Sequence, residues 1–178
     1  MTSYLPLRPG LLVLALSLSL SACGNATNWR DYNSQEAPFR VMFPDKPSVH
    51  QRTIDLAGMK VAMTMTAVDL DGTMYAVGSA EAPDAASAQA ALAAMKTALV
   101  RNIGATVNRE ASRAASSASG QRASLDVEAT GMQNGTPMKL VAHFEARDRH
   151  FYQVVVMGKA KAMPAEQVEQ FMHSFTLL

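Results

Sequence analysis

Cysteine, aromatic residues and excess charge are all scarce in this chain. A single cysteine excludes an internal disulfide framework and a cluster of thiolates around a metal. Sixteen Lys and Arg residues against fifteen Asp and Glu leave a formal net charge of +1, so we expect no nucleic-acid partner. Aromatic residues make up only 6%, so the core is expected to rely on Ala, Val, Leu and the twelve methionines. The hydrophobic share of 48% predicts a folded protein, and 178 residues allow one domain beside a targeting segment.

Residues 1–22 have the form of an export signal peptide. Arg8 supplies a weakly positive n-region, and an apolar run follows at residues 11–20. This run is too short for a stable transmembrane helix, which needs about 20 apolar residues. The run ends in Leu20-Ser21-Ala22-Cys23, which contains the only cysteine and resembles the lipobox of bacterial lipoproteins.

The lipobox resemblance implies a lipid attachment site. In that family the cysteine sulfur, here that of Cys23, takes a diacylglyceryl group, the peptide is cut before it, and the new amine is acylated. Two or more fatty chains such as palmitate hold a protein on a membrane almost permanently. Gly24 at the following position implies the periplasmic face of the outer membrane if the source is Gram-negative. Two alternatives are an ordinary signal peptide cut after Ala22, which Leu20 disfavours, and an idle thiol.

After a tether at residues 23–28, the pattern predicts one domain over residues 29–178. Alternating apolar and polar residues predict strands over 39–43, 49–56, 60–69, 74–80, 105–110, 122–130, 138–145 and 151–157. Asp71-Gly72 and Asn134-Gly135 favour type I′ hairpins, and we expect further turns at Ala57-Gly58 and Arg147-Asp148. The Ala- and Ser-rich segment 111–120 is predicted to be a loop.

Two helices are predicted from caps and apolar spacing. Asp84 is an expected N-cap for a helix with apolar residues from Ala88 to Ile103, and Gly104 is a suitable stop. Pro164 at a first helical position opens a second helix, whose buried stripe is Val168, Phe171, Met172 and Phe175. Strands joined by hairpins and carrying helices predict an α+β fold with a single antiparallel β-sheet flanked by helices.

Three stretches resemble PsbP-like domains and related bacterial envelope proteins. These are the opening strand Phe39–Pro47, the strand His150–Gly158 and the closing segment Val168–Leu177. The family usually has Arg-Leu-Tyr where this chain has His150-Phe151-Tyr152. The resemblance implies a sandwich of one antiparallel sheet and helices, and a non-catalytic accessory, assembly or binding role. It transfers no functional residue, because the shared residues are structural.

The segment Val68–Thr73 also matches the D-x-D-G-T start of haloacid dehalogenase-like phosphatases. Those enzymes need a parallel sheet and further downstream acids that hold Mg²⁺. Here the motif lies between two alternating runs, and the downstream acids are scattered. We therefore predict a hairpin tip, with Asp69 not a nucleophile.

Two candidate metal sites remain. Met59, Met63 and Met65 share a strand face and could bind Cu(I), although use in the core explains them better. If Arg147-Asp148 is a two-residue turn, Glu145 faces His150 with His143 on the same side, a workable Zn²⁺ set. Solvent-facing polar residues are the better explanation of this group as well, so no cofactor is predicted.

The sequence therefore predicts a lipid-anchored envelope protein with no catalytic residue. We expect it to act as a binding or assembly accessory domain, with the membrane and an unidentified envelope protein as its partners. The alternative is a carrier of a small ligand or metal, and a hydrolase is third. Gly-x-Ser-x-Gly and a second cysteine, which would favour nucleophilic catalysis, are absent from the sequence.

Overall fold

The computed structural model describes residues 27–117 and 120–178, in which the chain forms ten strands and two helices. The elements are β1 (Arg30–Asn33), β2 (Phe39–Phe43), β3 (Ser48–Leu56), β4 (Met59–Leu70), β5 (Thr73–Glu81), α1 (Ala85–Asn102), β6 (Thr106–Ser117), β7 (Gly120–Gln133), β8 (Thr136–Arg147), β9 (His150–Lys159), α2 (Ala165–Ser174) and β10 (Thr176–Leu177). The predicted signal peptide and Cys23 lie outside the described residues. No helix within the described ranges is both long and apolar enough to cross a membrane.

The expectation of a single antiparallel sheet flanked by helices is wrong, because the protein is mostly β and has two sheets. The large sheet has seven strands in the order β3-β4-β5-β9-β8-β7-β6, and the small sheet has three in the order β1-β2-β10. Every strand pair in both sheets is antiparallel. The strand at Phe39–Phe43 does not join the large sheet, because it pairs with β1 on one side and β10 on the other.

Two-residue hairpins set the register of the large sheet. Leu70 pairs with Thr73, so Asp71 and Gly72 form the whole loop, with φ angles of 53° and 78°. Positive φ at both positions is the requirement of a type I′ turn, which glycine meets without strain and aspartate tolerates. The Asp69 carboxylate accepts a hydrogen bond from the Gly72 amide at 3.0 Å, which confirms the predicted hairpin tip. The Asn134-Gly135 hairpin is confirmed as well.

The two helices lie on opposite faces of the large sheet. Helix α1 is capped as predicted, since the Asp84 carboxylate accepts a hydrogen bond from the Ser87 amide at 2.7 Å. It covers strands β7, β8 and β9 with Ala88, Leu92 and Met95, over a core that is mainly aliphatic and methionine but also contains Phe144 and Phe151. Helix α2 begins at Ala165, one residue later than predicted, with Pro164 as its N-cap.

The opposite face carries a second core, which we call the aromatic core. It joins the small sheet and α2 to strands β5 and β9 of the large sheet. Its largest fully buried side chains are Phe39, Phe43, Tyr75, Tyr152 and Phe171. The few aromatic residues of the chain are thus concentrated in the layer that has the shortest strands. Large rings bury much apolar area per residue, so they compensate for the small size of this layer.

The predicted loop at residues 111–120 is also wrong, because β6 continues to Ser117. Its residues pair with β7 as far as Ser117 opposite Gly120. The segment consists mostly of Ala, Ser and Arg, which lack the alternating apolar pattern of a buried strand. The backbone hydrogen bonds to β7 hold it in place at the edge of the sheet, where few side chains need burial.

Candidate functional site

The face of the large sheet that carries the aromatic core is covered only in part. Strands β5 and β9 lie under α2 and the small sheet, whereas β6, β7 and β8 continue beyond the helix. A cleft of about 820 Å³ lies between α2 and these three strands. It is the candidate site, because ligand sites are concave and combine an apolar wall with a few placed polar groups.

One wall of the cleft is apolar. It is formed by α2 and the residues next to it, with Met163, Val168, Met172 and Phe175 turned toward the cleft. All four side chains are half-buried, because they pack against the aromatic core on one side and face the cleft on the other. Phe171 lies between them in sequence and points into the aromatic core, where it is fully buried. The position of the wall therefore depends on the packing of Phe171.

The floor of the cleft is polar and centres on His143. Asp126 in β7 is directly opposite His143 in β8, and their side chains lie on the same face of the sheet. The Nδ1 atom of His143 is 2.6 Å from the Asp126 carboxylate, and its Nε2 atom is 3.4 Å from the Glu145 carboxylate. Both ring nitrogens of this imidazole therefore have a carboxylate partner.

Arginines extend this arrangement across the sheet. Arg122 in β7 lies 2.8 Å from the Glu145 carboxylate, and Arg113 in β6 lies 3.7 Å from that of Asp126. The five side chains form a row of alternating charge across three neighbouring strands. Arg109 and Glu128 form a further pair at 3.3 Å. The arginines are more than half exposed, so each outer pair contributes little to stability by itself.

Two carboxylates favour the charged form of His143. Burial of the ring alone would lower its pKa, but the hydrogen bonds to Glu145 and Asp126 and the charges of both carboxylates outweigh burial. The pKa of His143 is therefore raised above its usual value. The Phe175 ring packs beside the imidazole, with the two ring centres 6.2 Å apart. The side chain thus links the polar floor to the apolar wall.

The two carboxylate contacts limit the chemistry that His143 can offer. A general base or a metal ligand needs a ring nitrogen with a free lone pair, and both nitrogens of His143 are donors to carboxylates when the ring is charged. Among residues 27–117 and 120–178, no group of three His, Cys, Asp or Glu side chains is arranged to hold a metal ion. The cleft offers fixed charges and an apolar surface.

The structure brings together only two of the three candidate metal ligands. His143 and Glu145 are in contact, but the turn after β8 is Asp148-Arg149 and not Arg147-Asp148. His150 is therefore opposite Arg147, and Glu145 is opposite Tyr152. His150 lines a separate cavity of about 200 Å³ with the end of β10, where it has no contact with His143.

The methionine candidates lie on the other side of the sheet. Met63 is buried in the core under α1, and Met59 and Met65 pack against the same core. The Met65 sulfur accepts a hydrogen bond from the Gln153 side chain at 3.4 Å. These positions suit methionine as a flexible filler of the core.

Sequence reasoning missed Asp126, Arg113 and the wall of α2. The alternation at residues 122–130 did place Asp126 on the polar face of its strand. Its contact with His143, however, depends on the register between two strands, which the residue pattern alone does not give. A partner 17 positions away was therefore not identified.

No model of a known protein family matches this chain, and no curated protein matches it in a sequence comparison. The similarity to PsbP-like domains thus stays a prediction from short motifs.

Proposed function

We propose that this protein is a membrane-anchored envelope lipoprotein whose domain is a non-catalytic binding or assembly module, with the cleft beside α2 as its binding surface. The observation that carries the binding role is the lining of the cleft. An apolar wall faces a floor whose His143, Asp126 and Glu145 are already engaged with one another. Such a surface recognises shape and charge without offering a free nucleophile or base.

The anchor is supported by the sequence at Cys23. The apolar run, the small residues Ser21 and Ala22, and the single cysteine occur in the order that lipoprotein processing requires. The folded domain begins only a few residues later, so it would be held close to the membrane. If the source is Gram-negative, Gly24 favours the periplasmic face of the outer membrane as its location.

Replacing Cys23 by alanine tests the anchor. We expect the wild-type mature protein to carry fatty acyl chains on its first residue and to fractionate with membranes. The Cys23→Ala chain should lack the acyl mass and keep its signal peptide, because cleavage depends on the lipidated cysteine. Mass spectrometry of the N-terminal peptide and membrane fractionation measure both. An unmodified thiol on the mature wild-type protein would contradict the anchor.

Two substitutions on α2 test the cleft. Met172→Arg places a charge on the apolar wall, whereas Gln170→Arg places the same charge on an exposed part of the same helix outside the cleft. Partners that co-purify from solubilised membranes should be recovered about tenfold less with Met172→Arg, a loss of about 1.4 kcal/mol. Recovery should be unchanged with Gln170→Arg. Thermal unfolding of both variants controls for loss of the fold.

Equal recovery by both α2 variants would show that the partner binds elsewhere. Absence of any stable partner of the wild-type protein would contradict the binding role.

A small-molecule ligand is the second candidate occupant. The cleft volume of about 820 Å³ lies within the range of known ligand sites. Mass spectrometry of compounds released from the purified protein tests this alternative. A stoichiometric compound that is lost in Met172→Arg and kept in Gln170→Arg would favour a ligand carrier over an assembly module. Stoichiometric zinc or copper by metal analysis would favour a metal carrier.

A further inference from the structure

The position of the tether on the domain is fixed by contacts with α2. The Thr27 hydroxyl accepts a hydrogen bond from the Gln167 amide at 3.0 Å, in the first turn of α2. Gln167 in turn accepts one from the Tyr75 hydroxyl at 3.2 Å. Trp29 packs against the aromatic core. The chain therefore leaves the domain at the N-terminal end of α2.

Little chain separates this point from Cys23. Four residues span at most about 14 Å when fully extended. Acyl chains on Cys23 would therefore hold the end of the domain at which α2 begins within that distance of the bilayer.

Three lysines lie at the same end of the domain. Lys139 is opposite Gly158 near the end of β9, Lys159 is the last residue of β9, and Lys161 lies in the connection to α2. This connection is fixed to β8 by a hydrogen bond of 2.9 Å from the Ala160 amide to the Pro137 carbonyl. Lys159 and Lys161 are exposed, and Lys139 is half-buried.

None of the three lysines forms an ion pair with a side chain in the part of the chain that the structure describes. Arg101 adds a further exposed cation near this end, since the C-terminus of α1 lies against Gly131 of β7. Acidic groups near this end include Glu166 on α2 and Asp69 and Asp71 at the β4–β5 hairpin. The Asp69 carboxylate is engaged with the Gly72 amide.

An exposed apolar side chain accompanies the lysines. Met132 is 58% exposed and lies beside the β7–β8 hairpin, opposite Pro137. We call the surface formed by Lys139, Lys159, Lys161 and Met132 the lysine end. Free cations beside an exposed apolar side chain suit the phosphate and upper acyl region of a membrane.

We propose that the lysine end rests against the anionic surface of the membrane that holds the anchor, a proposal that itself rests on the proposed lipidation of Cys23. The tether brings this end to the bilayer, and the lysines then bind lipid phosphates directly. Because Lys139 and Met163 also line the cleft, this orientation places one end of the cleft beside the bilayer surface.

Lysine labelling of the purified lipidated protein in vesicles tests the proposal. Vesicles of phosphatidylcholine alone are compared with vesicles that also contain phosphatidylglycerol. On the anionic vesicles we expect an amine-reactive label to modify Lys139, Lys159 and Lys161 about threefold more slowly. Lys60, exposed next to the β3–β4 hairpin at the other end of the sheet, should react equally on both and serves as the internal control. High salt should remove the protection.

A charge-reversed variant gives a second, independent measurement. With all three lysines replaced by glutamate, peroxide should oxidise Met132 equally fast on both kinds of vesicle. In the wild-type protein, oxidation of Met132 should be slower on the anionic vesicles, while half-buried Met59 at the other end of the sheet should not change.

The outcomes separate this proposal from the anchor. If the protein floats with both kinds of vesicle but its lysines are labelled at the same rate on both, the docking is overturned and the anchor is left intact. Failure to float with either kind would overturn both the anchor and the docking.

Discussion

Truncating Phe171 tests whether the aromatic core holds α2, and with it the wall of the cleft, on the large sheet. The Phe171 ring is fully buried, and its centre lies 5.3 Å from that of Phe43 and 5.4 Å from that of Tyr75. Phe171→Ala removes the ring and leaves a cavity between the small sheet and the large sheet. Such substitutions reduce the free energy of unfolding by about 3–5 kcal/mol. A typical domain has a free energy of unfolding of about 5–15 kcal/mol, so Phe171→Ala should remove a large fraction of the protein's stability.

Urea unfolding followed by circular dichroism measures this loss. The midpoint should fall while the slope with denaturant stays constant, as expected for one cooperative unit. Met172→Ala on the same helix is the matched control, and because Met172 is only half-buried the loss should be about 1–2 kcal/mol. A loss below about 1 kcal/mol for Phe171→Ala would refute the role assigned to this ring. A separate early transition that leaves the large sheet folded would refute the single cooperative unit.

Three further predictions concern the floor of the cleft, a close backbone contact and a helix cap. The raised pKa of His143 means that its charged hydrogen bonds stabilise the fold fully below the unfolded pKa of about 6.5 and are lost as the pH rises through the folded pKa. His143→Gln should therefore lower the free energy of unfolding by about 1–3 kcal/mol at about pH 6 and by less at about pH 9. A difference independent of pH would contradict the charged hydrogen bonds of His143. Gly131→Ala should lower the free energy of unfolding by about 1–3 kcal/mol, measured by thermal unfolding, because a Cβ atom there would lie 2.5 Å from the Ile103 carbonyl oxygen. The control Gln133→Ala, at an exposed position, should have little effect. Asp84→Ala should lower the melting temperature, and Asp84→Asn, which keeps the acceptor for the Ser87 amide, should lower it less; equal losses would argue against the cap.

Features set by neighbouring residues could be predicted from the sequence. The Asp71-Gly72 and Asn134-Gly135 hairpins and the N-cap at Asp84 each depend on a few adjacent side chains and their backbone preferences. The alternating strands β7 and β8 were predicted for the same reason, since one face of each of them is buried.

Features set by distant pairing could not be predicted. Strand β1, with the sequence Arg-Asp-Tyr-Asn, has no apolar pattern and exists because β2 supplies its hydrogen bonds. The end of β6 is held in the same way by β7. The turn after β8 was predicted one residue too early. For that reason His150 was wrongly expected to lie opposite Glu145. The contacts of His143 depend on the register between β7 and β8 and on the position of Phe175.

The small sheet has a consequence for how the protein is made. Strand β2 takes one partner from residues 30–33 and the other from residues 176–177, near the two ends of the described chain. If the chain is exported as proposed, the second edge of β2 therefore stays open until residue 177 has crossed the membrane. Pairing between such distant segments is also slow, because much chain must be ordered before the contact forms. Until then Phe39 and Phe43 lack part of their cover, so a chaperone that shields exposed rings would protect the nascent chain.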